Sequence, residues 1–139
     1  MTWITFVILV AALLLGGAVL LVMMSRGVGR TNLNSDKFRS AWLAIEQQVE
    51  RDNAASYQLA ILNADKLLDK ALRERGFKGE TMGERMKSAV KVWKNANQVW
   101  TAHKLRNQIA HETDVRPTLD QTRRALAAFK QGLKDLGAI

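Results

Sequence analysis

The chain has 139 residues, the first 24 of which carry no charge, so all 21 Lys and Arg and all 13 Asp and Glu fall in the rest, a length typical of one domain. The net charge of +8 therefore belongs to that domain and points to an anionic partner, nucleic acid or an anionic membrane surface, or else to a solvated basic face. There is no cysteine, which excludes disulfides, thiol catalysis and Cys-ligated zinc and is compatible with a reducing cytoplasm.

An apolar run begins at Trp3 and ends at Met24. As a helix it rises about 33 Å, enough to cross a hydrocarbon core of about 30 Å. A cleaved signal peptide is the alternative. It requires a basic n-region and a short apolar segment, whereas Met1-Thr2 is uncharged and the run is long. Residues 1–24 are therefore expected to be an uncleaved transmembrane helix. Arg26 and Arg30 follow it and no basic residue precedes it. The positive-inside rule then places the N-terminus outside and the domain in the cytoplasm. Trp3 suits the outer interface. Ala12 and Gly16 form a small-xxx-small pair, which supports helix pairing in lipid or is merely tolerated there. Residues 25–34 read as a flexible basic linker of about 17 Å r.m.s. span. It holds the domain, residues 35–139, near the headgroups.

In that domain a first helix is predicted from Asp36 to about Arg51, capped by Ser35, with Phe38, Trp42, Ile45 and Val49 as its buried stripe. A second is predicted from Ala54 to Glu74 and closed near Gly76. It buries Tyr57, Ala60, Ile61, Ala64, Leu67, Leu68, Ala71 and Leu72. Asp65 and Asp69 share its other face. Two carboxylates at i, i+4 suggest a metal or acid–base pair, but a solvated face balanced by Lys66 and Lys70 is the plainer expectation. The remaining reading is that Asp65 pairs with Arg106 and holds its guanidinium. Gly76 and Gly79 bracket a loop with no GxGxxG or GxxxxGK pattern, so a cap and turn is expected rather than a phosphate cradle.

Thr81-Met82-Gly83-Glu84 is a capping box opening a third helix, with Met82, Met86, Val90 and Trp93 as core positions. Asn95 and Asn97 mark a break. A fourth helix then carries Ala102-His103-Lys104-Leu105-Arg106-Asn107-Gln108-Ile109-Ala110-His111-Glu112, which contains both histidines of the chain. At about 100° per residue, His103, Asn107 and His111 form one polar stripe with Arg106 at its flank. Ala102, Leu105 and Ile109 face the core. Trp100 lies on the polar side, able to stack a base or to pack in a dimer seam. Acidic Glu112 and Asp114 oppose the helix macrodipole, so Glu112 is expected to be offset by Arg116, or one of the two carboxylates to orient His111. Pro117 ends the segment, and Thr118-Leu119-Asp120-Gln121 is a second capping box. The helix after it runs to about Leu136 with a seam of Leu119, Thr122, Leu126, Phe129, Leu133 and Leu136. No segment alternates with period two, so no strand is expected. The fold class is all-α: an antiparallel bundle of four to five helices behind one transmembrane helix.

Arg106-Asn107-Gln108-Ile109-Ala110-His111 resembles the R-x4-6-H motif of the HEPN superfamily, including the polar residue that often follows the Arg. The Ala-rich helix upstream (Ala60, Ala64, Leu67, Leu68, Leu72) and the closing helix downstream extend the likeness over residues 35–136. The resemblance implies a small helical bundle. It also implies a metal-independent ribonuclease of a toxin–antitoxin or defence system, dimeric, with both motifs in one cleft. Arg106, Asn107 and His111 would be its catalytic residues. The hydrophobic N-terminus departs from soluble HEPN toxins and speaks against a diffusible toxin.

Cleaving RNA without metal requires a base for the 2′-hydroxyl, a cation for the phosphorus oxygens and an acid for the leaving oxygen. Imidazole serves as base or acid near neutral pH, and Arg offers a fork for two phosphate oxygens. His103 stands about 12 Å along the helix from His111, which is long for action on one phosphate, and a two-fold dimer removes that difficulty. Trp100, His103 and Lys104 are the candidate flanking substrate contacts, and Asp65 and Glu112 the candidate supporting carboxylates. No metal and no cofactor is expected: two His at i, i+8 do not chelate one ion, and no triad signature is present. The expected partners are RNA or nucleotide, the membrane through residues 3–24, a second copy of the chain and a protein such as an antitoxin. The alternative is a non-catalytic anchored bundle that binds RNA, nucleotide or protein.

Overall fold

The computed structural model describes residues 2–25 and 32–139. Among these residues there are six helices and no strand: α1 (Thr2–Ser25), α2 (Ser35–Gln47), α3 (Ala54–Glu74), α4 (Met82–Ser88), α5 (Ala96–His111) and α6 (Leu119–Asp135). From Trp3 to Val22, α1 has a mean hydropathy of 2.8 and none of it is buried. Its length and composition suit a membrane crossing, a character that N-terminal signal sequences share. Arg26 and Arg30, on which the expected orientation rests, lie outside the described residues.

The centre of the domain is α3, which packs against α2, α4, α5 and α6. It can do so because its inward positions are small or branched. Ala60, Ile61, Ala64, Leu68, Ala71 and Leu72 are fully buried, and the alanines let neighbouring helices approach closely. Phe129 and Leu133 of α6 are fully buried in the same core. Between them the backbone of Gly132 lies so near α3 that a Cβ there would stand 3.2 Å from Leu68 Cδ1. Phe38, Trp42 and Ile45 dock α2, each side chain of this size worth about 1.5–3 kcal/mol when buried.

The bounds of α3 are those read from the sequence, and its end is a Schellman closure. Gly76 takes φ +83°, its N–H donates to Arg73 O, and Phe77 N–H donates to Leu72 O. Both capping boxes form, at Thr81 with Glu84 and at Thr118 with Gln121. The α2 helix departs from expectation at both ends. Its cap is Asn34, whose side chain accepts from Lys37 N–H, and it stops at Gln47 rather than near Arg51. The shortening has a local cause. Asn53 must be extended to cap α3, and Asp52 reverses the chain at φ 61°. Glu50 N–H and Asp52 N–H are tied to Ser56 Oγ and Tyr57 OH. Residues 48–53 therefore belong to the turn.

Val90 is likewise not a core residue. It is 59% exposed, because α4 ends at Ser88 and a tight turn through Val92 N–H to Ala89 O swings the chain round. That turn buries Trp93, whose indole N–H donates to Met86 O.

Candidate active site

The site is built on the facing sides of α3 and α5, with the start of α4 as its third wall. Asp65 points from α3 towards α5 with its side chain only 3% exposed. Its Oδ1 lies 2.7 Å from His103 Nδ1, and its Oδ2 lies 3.2 Å from Arg106 Nε. The Asp65–Arg106 pairing, the minor reading of the sequence, is therefore present, and the expected solvated carboxylate face is not. Burial without partners would cost several kcal/mol, and His103 and Arg106 supply those partners. The Arg106 contact is an ion pair rather than an aligned hydrogen bond, since Nε is buried without an acceptor in line. Arg106 Nη1 donates to Asn107 Oδ1 at 2.9 Å, and Asn107 Nδ2 stands 3.3 Å from His103 Nε2. The Arg106 side chain remains 34% exposed.

Asp69, one turn along α3, has a different partner. Arg85 of α4, with 6% of its side chain exposed, meets it at 2.7 Å through Nε and 3.0 Å through Nη2. Arg85 Nη1 also donates to Gly79 O at 2.6 Å. Gly79 is required there: a Cβ would stand 2.7 Å from Glu84 Cβ, and φ is +154°. The two loop glycines thus serve as helix closure and close approach. Arg73 pairs with the outer side of Asp69. Sequence reasoning missed Arg85. Its one signal was position, beside Met86 and three residues after Met82 on the inward side of a short helix.

These elements border an open groove of about 960 Å³. Arg106, Asn107 and His111 all line it, as do Trp100, His103 and Lys104. Lys66, Arg73 and Arg85 add positive charge, against Asp65, Asp69 and Glu80. Lys66 and Lys104 are exposed and form no ion pair among the described residues. His103 is 7% exposed with both ring nitrogens facing partners within the chain, whereas His111, the last residue of α5, is exposed. Trp100 is half-buried, edge-on to His103 at 6.1 Å between ring centres and beside Gly83. Glu112 is exposed and lies outside the groove lining. Neither its expected pairing with Arg116 nor one with His111 forms among the described residues.

The groove therefore brings together one exposed imidazole, one partly exposed guanidinium fixed from behind, an amide and two ammonium groups that form no ion pair among the described residues. That set can hold a phosphodiester and move a proton beside it. Among the described residues no three His, Cys, Asp or Glu side chains are grouped to hold a metal ion. No protein-family model, curated protein or solved structure matches this chain.

Proposed function

We propose that the chain is a membrane-anchored, HEPN-like endoribonuclease: a bundle of four to five helices whose dimer cleaves single-stranded RNA without a divalent metal. The observation that carries this reading is the shared groove. Arg106, Asn107 and His111, picked out in the sequence by their spacing, line it together with Trp100, Lys66 and Lys104. In the reaction, the 2′-oxygen attacks phosphorus and the bond from phosphorus to the 5′-oxygen breaks. One His111 takes the 2′-hydroxyl proton, and the other copy's His111 gives a proton to the departing 5′-oxygen. The products are a 2′,3′-cyclic phosphate and a free 5′-hydroxyl. Arg106 binds the non-bridging oxygens, and Asn107 orients the phosphate or His111. The anchor is residues 3–24, and the flanking Arg26 and Arg30 place the domain on the cytoplasmic side.

A second reading, binding of RNA or nucleotide without turnover, is favoured by one observation: Arg106 is already paired with Asp65 and Asn107. The same experiment separates the two. The full chain in detergent micelles is incubated with single-stranded RNA in EDTA. Cleavage with cyclic-phosphate ends is expected, reduced at least about 100-fold by His111→Ala and by Arg106→Ala with the helical content retained. Cleavage that survives both substitutions contradicts the proposal. Salt-sensitive binding with no cleavage from a folded dimer establishes the second reading instead.

A further inference from the structure

Four side chains in the groove wall close into a ring: Asp65, His103, Asn107, Arg106 and back to Asp65. We infer that this ring is a positioning device, in which Asp65 and His103 set the orientation of Arg106 and Asn107 without themselves touching substrate. The inference rests on the ribonuclease reading and adds two positioning residues to it.

Donor and acceptor roles around the ring are constrained. A carboxylate only accepts, so the His103 nitrogen 2.7 Å from Asp65 Oδ1 must carry a proton. In the neutral ring Nε2 is then bare and accepts from Asn107 Nδ2. That turns the Asn107 amide so that its oxygen faces Arg106 Nη1, which donates to it. The guanidinium is thereby held along two edges, by Asp65 at Nε and by Asn107 at Nη1, and its Nη2 is free of the ring. Each assignment fixes the next, and reversing any one sets two donors face to face. A proton on Nε2 would oppose the Asn107 amino group. Turning the amide to relieve that would oppose its amino group to Arg106. The ring also removes His103 from proton transfer in the groove and leaves that task to His111.

Asp65→Asn breaks this ring with little change in shape. If the new amide turns its nitrogen to His103, the imidazole must exchange tautomers. If it turns its oxygen there, its amino group faces the guanidinium. Because His103 moves no proton in the groove, the loss reaches the groove through Asn107 and Arg106, as a guanidinium no longer fixed in place. His103→Gln keeps one donor and one acceptor on a single side chain and preserves the connection, whereas His103→Leu removes both.

The test uses the full chain in detergent micelles with 15N-labelled His and Arg. In the wild type, the His103 nitrogen shifts should report a proton on Nδ1 and none on Nε2. The Arg106 guanidinium should rotate slowly. Asp65→Asn should release that rotation. In RNA cleavage, Asp65→Asn and His103→Leu should lower kcat about 10- to 100-fold, with His103→Gln restoring most of the loss. A proton on His103 Nε2 in the wild type, or a guanidinium as slow in Asp65→Asn as in the wild type, overturns the inference even where RNA is cleaved. If the wild type cleaves no RNA, the ribonuclease reading fails, and the nitrogen shifts and Arg106 rotation still decide whether the ring exists.

Discussion

Asp65 and Asp69 stand one helical turn apart on α3 and look equivalent in the sequence, yet they do opposite work. Asp69 is closed off. Arg85 meets both its oxygens and is itself buried and tied to Gly79 O, so the cluster pins α4 and its preceding loop to α3. The Asp65 cluster is open at one end: Asp65 is the more buried of the two carboxylates, but the cation it holds, Arg106, keeps a third of its side chain exposed in a groove with His111. One carboxylate thus consolidates the fold, and the other presents a guanidinium. Burial of an acidic residue alone does not separate these roles; the exposure of its partner does.

The largest effect that would sharpen this contrast lies in the closed cluster. Arg85→Met should destabilise the domain by about 3 kcal/mol, because removing one partner of a buried pair strands the other, and only exposed Arg73 remains for Asp69. A thermal unfolding midpoint within a degree or two of wild type would show that Asp69 is not a structural latch.

In the open groove, the double charge reversal Lys66→Glu with Lys104→Glu should weaken RNA binding about tenfold. It should also flatten the dependence of binding on salt, by about 0.7 in the logarithmic slope for each phosphate that is no longer neutralised, at unchanged stability. Binding that keeps the wild-type salt slope would place the RNA elsewhere.

The smallest effect is expected beside the closed cluster, at the cap of α4. Backbone N–H groups of Glu80 and Thr81 hold the Glu84 carboxyl below its ordinary value of 4.5. A carboxyl whose folded value is depressed stabilises above its unfolded value. That contribution is lost as pH falls from the ordinary value through the folded one. Unfolding midpoints should therefore decline with acidification below about pH 4.5 less steeply in Glu84→Gln than in wild type. Equal slopes would remove Glu84 from the acid response.

What the sequence disclosed followed from local rules. The bounds of α3 came from apolar spacing and a closing glycine, the starts of α4 and α6 from capping boxes, and the seam of α6 from its repeat. What it hid was set by the crossing of helices. Nothing in local spacing says that Asp65 meets His103, 38 residues away, or that Asp69 meets Arg85, 16 residues away. Both aspartates therefore read first as solvated, with pairing of Asp65 to Arg106 only as the minor reading. His103 read as part of one polar stripe with Asn107 and His111, but the stripe runs from buried at His103 through half-buried at Asn107 to exposed at His111. That Arg106, Asn107 and His111 border one groove followed from spacing, because one helix carries all three.

The proposed division between a structural Asp69 and a functional Asp65–Arg106 centre is tested most directly by measuring RNA cleavage and unfolding midpoint on the same preparations of Asp69→Asn and Arg106→Lys in the full chain. The account predicts that Asp69→Asn lowers the midpoint and leaves the cleavage rate of the folded protein near wild type. It predicts that Arg106→Lys, which keeps the charge but loses the planar fork, leaves the midpoint nearly unchanged and lowers the rate at least about tenfold. Loss of stability and activity in the same proportion in both variants would contradict it, because the two clusters would then be one ion-paired face serving the fold alone.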